Sequence, residues 1–123
     1  MVATSIMSTD AEMNAMAGED VDGTGWIDAN KTAWGLHAEC FINCLTRKNF
    51  SDKFGTLNID VKYILSEYVA RYVGMCGIMY NMTLMTLHTR IEAEDRVNVH
   101  WARMKAIEKL LSDPATVTYM WGA

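Results

Sequence analysis

Between Tyr72 and Leu87 the chain runs for 16 residues without a charged side chain. A stretch this apolar must be covered on most of its sides, which constrains every other part of the fold. It is short for a membrane span, which needs about 20 residues, and Asn81, Thr83 and Thr86 interrupt it. The spacing upstream predicts a long helix capped by Asn58 or Asp60. Val61, Ile64, Leu65, Tyr68, Tyr72, Met75, Cys76, Met79, Met82 and Thr83 form one stripe at three- and four-residue intervals. The opposite face begins polar with Lys62, Ser66, Glu67 and Arg71, then changes to Gly74, Gly77, Ile78, Asn81, Leu84 and Met85. From Gly74 onward the helix is apolar nearly all round.

Two flanking helices from a chain of 123 residues supply only part of that cover. The expectation is therefore a homo-oligomer, with Tyr72, Gly74, Met75, Gly77, Ile78, Met79, Met82 and Met85 at the shared core and Tyr119 and Trp121 anchored on a neighbour. Gly74 and Gly77 each cost a helix about 1 kcal/mol relative to alanine. Close approach of another helix is the simplest compensation. Ten methionines suit such contacts, because the side chain adapts to irregular gaps.

The remaining periodicities complete an all-α reading: a small bundle of three to four helices with one long central helix. Ala33, His37, Cys40, Phe41, Cys44 and Leu45 mark an amphipathic helix over 29–47, with Cys40 and Cys44 as small core residues. Val97, Trp101, Met104, Ile107, Leu110 and Leu111 mark another, stopped by Ser112-Asp113-Pro114. His100 then reads as a surface histidine beside a core tryptophan. Whether 59–111 forms one helix or two is open at this level. Three units follow: an acidic arm and Gly/Asp turn over 1–28, ordered only if it docks, a helical domain over 29–113, and a C-terminal arm over 114–123. The last nine residues, ATVTYMWGA, are β-prone and apolar.

The formal charge of −4 is distributed unevenly. Residues 1–30 carry Asp10, Glu12, Glu19, Asp20, Asp22 and Asp28 and no Lys or Arg, whereas the remainder carries a small basic excess. The bases are spaced singly apart from Arg47-Lys48, so a dense phosphate-binding stripe is not expected. If nucleic acid is bound, Arg47, Lys48, Lys53, Arg90, Arg96 and Arg103 are the candidates. Three cysteines fit reduced thiols better than a disulfide framework. No basic segment precedes an apolar run near the start, so no signal peptide is expected. A cytoplasmic or virion location follows.

Residues 20–31, DVDGTGWIDANK, resemble an EF-hand loop. Asp20, Asp22, Thr24 and Asp28 fall at positions one, three, five and nine, where alternating oxygens surround a hard cation, and Gly25 falls at the sharp turn. Position twelve is Lys31, where the loop type needs a bidentate acid. An acidic turn that caps the next helix is the simpler reading. His37, Cys40 and Cys44 share a helical face at i, i+3 and i+7, which permits a soft metal only with help from outside the helix. No third group orients a Cys/His nucleophilic pair. No phosphate loop, dinucleotide fingerprint, hydrolase elbow or zinc-protease motif is present. The chain reads as a non-enzymatic structural or assembly protein, such as a viral or phage particle component, with no small-molecule substrate, cofactor or membrane partner expected. The alternatives are a small helical binding module or inhibitor of one protein partner, and a calcium binder with a degenerate loop.

Overall fold

The helix that the uncharged stretch demands begins where its cap predicts. In a computed structural model, which describes residues 5–18, 25–81 and 87–122, Asn58 accepts the amide of Asp60 at 2.9 Å through its side chain. Its carbonyl takes the Lys62 amide at 3.0 Å. All regular structure among the described residues is helical: α1 (Asp10–Ala17), α2 (Asp28–Thr46), α3 (Phe50–Lys53), a 3-10 turn (Phe54–Thr56), α4 (Ile59–Asn81), α5 (Leu87–Leu111) and α6 (Pro114–Trp121).

Residues 59–111 form two helices and not one. α4 and α5 run antiparallel, which three cross-helix pairs demonstrate. Tyr68 donates to Glu108 at 2.8 Å, Glu67 meets Arg103 at 2.6 Å, and Arg71 meets His100 at 3.0 Å. α1, α2 and α5 all pack against α4.

The chain ahead of Asp28 was expected to be an arm, and residues 5–18 are docked as part of the core. Thr9 and Glu12 close a capping box that starts α1, and Met7, Met13 and Ala17 are buried. Ser66, expected on a polar face, is buried and donates to the Met7 carbonyl at 2.6 Å. The Met7 amide in turn donates to buried Glu39 at 3.0 Å. An eight-residue helix shows too few turns for its period to stand out in sequence.

α1 also resolves the glycine question. A Cβ on Gly74 would lie 3.0 Å from Cβ of Met16 and 3.1 Å from the Ala17 amide nitrogen. The close neighbour is this chain's own first helix, and Gly74, Met75, Gly77 and Ile78, expected at a face between subunits, are all buried within the chain. Along the middle of α4 the cover expected from other subunits is supplied by α1, α2 and α5.

Two further expectations are corrected. The β-prone tail is the helix α6, because Asp113 caps it, Pro114 occupies its first turn and Gly122 closes it at φ 77°. Local end signals outweigh β-propensity, which is context-dependent. On α5 the two neighbours are exchanged: His100 is 5% exposed, whereas Trp101 is 49% exposed beneath the Lys105 ammonium. A buried ring with two nitrogens is tolerated because both are bonded.

Candidate functional site

α2 is apolar on two sides, and the side that sequence periodicity assigns to the core faces out. Its buried residues are Lys31, Gly35, Ala38, Glu39, Ile42 and Thr46. Ala33, Leu36, His37, Cys40, Phe41 and Cys44 are exposed, with Leu36 at 48% and Phe41 at 44%. The helix therefore turns its two ionised residues between 29 and 46 inward and leaves an uncharged stripe outward.

Partners explain how α2 tolerates charge inside. The Lys31 ammonium bonds Asp10 at 2.8 Å, lies 3.7 Å from Asp28 and stands over the Trp26 ring at 4.9 Å. Glu39 takes the Met7 amide and the Ser51 hydroxyl. Both charges tie α2 to other segments, which fixes its rotation about its own axis. Sequence spacing alone missed this, since Lys and Glu are normally read as solvent residues.

The outer stripe repeats at Ala33, His37, Cys40 and Cys44, intervals of four, three and four. That is the spacing of a seam between two packed helices. Among the described residues His37, Cys40 and Cys44 have no hydrogen-bond or ion-pair partner, and both cysteines are free thiols. At its C-terminal end the stripe meets Arg47, the one non-glycine residue with positive φ among those described, and Lys48. Neither has a carboxylate partner among the described residues.

A second exposed region surrounds α6. Trp121 packs edge-on against Phe50 at 5.4 Å and carries Lys48 and Lys53 against its ring at 5.3 and 4.3 Å. Lys53 also donates to the Trp121 carbonyl. On one side of α6 a cleft of about 410 Å³ is walled by Leu45, Arg47, Lys48, Leu111 and Val117. On the other, Val61, Ile64, Leu110, Tyr119 and Met120 enclose a smaller apolar cleft of about 150 Å³, and Tyr119 stands 68% exposed at its edge.

The candidate phosphate contacts are thus divided. Arg47, Lys48 and Lys53 gather near α6, whereas Arg103 is held by both carboxylate oxygens of Glu67 at 2.6 and 3.0 Å. Arg96 donates to the Ala17 carbonyl at 3.4 Å, and Arg90 lies in the first turns of α5.

Inside the bundle His100 links α1 to α4. Its Nε2 meets the Met16 carbonyl at 2.9 Å and its Nδ1 meets Arg71 at 3.0 Å, so Nε2 carries the proton and Nδ1 accepts. Burial holds this imidazole below its ordinary range; the Met16 bond opposes that, and the charges of Arg71 and Arg96 reinforce it. Hydrogen bonding to Arg103 keeps the Glu67 carboxyl below its usual value despite partial burial, with Arg71 helping. Burial pushes the half-buried Cys76 thiol up to about 11, so it stays protonated at neutral pH.

Of the expected interface residues, Tyr72 and Trp121 are half-buried, Met79 and Tyr119 are exposed, and Met82 and Met85 lie outside the described residues. Of the calcium candidates, Asp20, Asp22 and Thr24 lie outside them too, and Asp28 faces the Lys31 ammonium. Among the described residues no group of three or more His, Cys, Asp or Glu converges within the chain. No helix among them is long and apolar enough to cross a membrane. No protein-family model matches the chain, and comparison with curated proteins and with solved structures likewise finds no match.

Proposed function

We propose that the chain is a non-enzymatic assembly protein that self-associates through the outer face of α2, within a small bundle whose central helix α4 is covered along its middle. The observation that carries this reading is the uncharged exposed stripe from Ala33 to Cys44, on a helix whose ionised residues point inward. A face of that kind offers apolar area without the desolvation cost of charge.

The occupant that fits is a second copy, antiparallel and related by a two-fold axis. Pairing about the midpoint of the stripe sets Ala33 opposite Cys44, Leu36 opposite Phe41, and His37 opposite Cys40. Small residues then meet small, and an aliphatic side chain meets a ring. The same pairing brings the acidic start of α2, at Asp28, toward Arg47 and Lys48 of the other copy. Opposed helix dipoles and opposite charges at both ends favour this direction over the parallel one. The apolar cleft beside Tyr119 supplies a separate contact surface, which a building block of an assembly larger than a dimer needs.

Light scattering after size exclusion tests this directly. The reduced protein, as purified, is expected at twice the 13.9 kDa chain mass or more, and Leu36→Glu is expected to shift it to the monomer while preserving its helical circular dichroism. A wild-type monomer at micromolar concentration overturns the reading and leaves a module that captures a different protein partner.

A further inference from the structure

The two-fold arrangement places chemistry as well as apolar surface at the centre of the stripe. His37 and Cys40 are both exposed, one helical turn apart, and have no partner within the described chain. Side chains at i and i+3 have Cβ atoms about 5–6 Å apart, close enough for both to reach one ion. Zinc takes sulfur at about 2.3 Å and imidazole nitrogen at about 2.0–2.1 Å in a tetrahedron. Each chain supplies only two such groups at this point, which is half a coordination sphere. The antiparallel pairing doubles them across the axis.

We propose that zinc, or a metal ion of similar softness, is bound between two copies by His37 and Cys40 of each. This inference rests on the α2 pairing proposed above. On binding, each Cys40 thiol loses its proton to solvent and each His37 binds as the neutral ring. Two thiolates and a divalent cation sum to zero charge, which suits a face that carries no charge of its own. Cys44 lies a further turn along, opposite Ala33 of the second copy, and takes no part.

Cobalt(II) titration of the full-length, chelator-treated, reduced protein tests the site. The intense visible absorption of tetrahedral thiolate-bound cobalt is expected to saturate at one ion per two chains, and zinc is expected to abolish it. His37→Gln and Cys40→Ser are each expected to lose that absorption, and Cys44→Ser to keep it. Absence of the bands, saturation at one ion per chain, or their survival in His37→Gln overturns the proposal. Light scattering on the same samples separates the two readings. A chelator-treated protein that still pairs but gives no cobalt spectrum removes the metal and leaves the pairing; a protein that is monomeric with and without metal removes both.

Discussion

α2 and α4 pose the same problem and meet it differently. Each has apolar residues on more than one side, yet α4 is covered along its middle by three helices of its own chain, with Ile59, Tyr63, Met79 and Tyr80 exposed toward its ends, and α2 leaves one face uncovered along its length. The difference comes from the segment ahead of Asp28. α1 docks against α4 with Met16 and Ala17 over the gap at Gly74, and no helix among the described residues crosses the outer face of α2. Apolar periodicity therefore measures a demand for cover. It does not say which segment, or which chain, meets it.

The comparison is most easily broken at α1. Met13→Ala removes a fully buried side chain between α1 and the core, and large-to-small changes of this kind cost about 2–5 kcal/mol. Urea denaturation checks it, and a loss below about 0.5 kcal/mol, typical of surface positions, would show that α1 is not what covers α4. Next in size is Gly74→Val. Its added atoms meet backbone and Cβ of α1 at 3.0–3.1 Å, and overpacking costs about 1–3 kcal/mol. Gly55→Ala is the control, because nothing lies within 4 Å of its added carbon.

Acid should loosen the same contact. The His100 pKa is lowered in the fold from its ordinary 6.5, so the unfolded chain takes up that proton first. The stability it contributes is complete above about pH 6.5, the ordinary histidine value, and is lost as pH falls through the lower folded value. Glu67, also lowered, adds a second loss below 4.5. Thermal unfolding across pH 7 to 5 is expected to show a slope that His100→Gln reduces. An unchanged slope in that variant would place the acid sensitivity elsewhere.

The smallest effect on folding is expected on the other side of the comparison. Cys44→Glu, on the outer stripe, should change the stability of the isolated chain by no more than about 0.5 kcal/mol. It should nonetheless lower the solution mass, because it buries a charge wherever that stripe is covered. If it destabilises the monomer instead, the stripe packs against its own chain and the contrast with α4 disappears.

Several elements were legible without tertiary information. Asn58, one of two candidate caps, the stop at Ser112-Asp113-Pro114 and the core positions Met104, Ile107 and Leu111 all follow from local signals. The candidate site was legible in part. The stripe through His37, Cys40 and Cys44 was found but assigned to the wrong side of α2, and Leu36 was not joined to it. The exchange of His100 and Trp101 was not legible, since either can serve a half-buried face until the partners of the imidazole nitrogens are known.

What the sequence alone determined is where helices start and stop and how much apolar surface they must hide. Caps, proline and spacing act within one or two turns, and their energies do not depend on distant segments. Only the tertiary structure decided which face of each helix turned inward. That choice depends on whether Lys31 finds Asp10, whether Glu39 finds the Met7 amide, and whether α1 fits over Gly74. A charge enters the core only when its partner arrives from elsewhere in the chain, so α2 and α4, similar as patterns, end with different surfaces to offer.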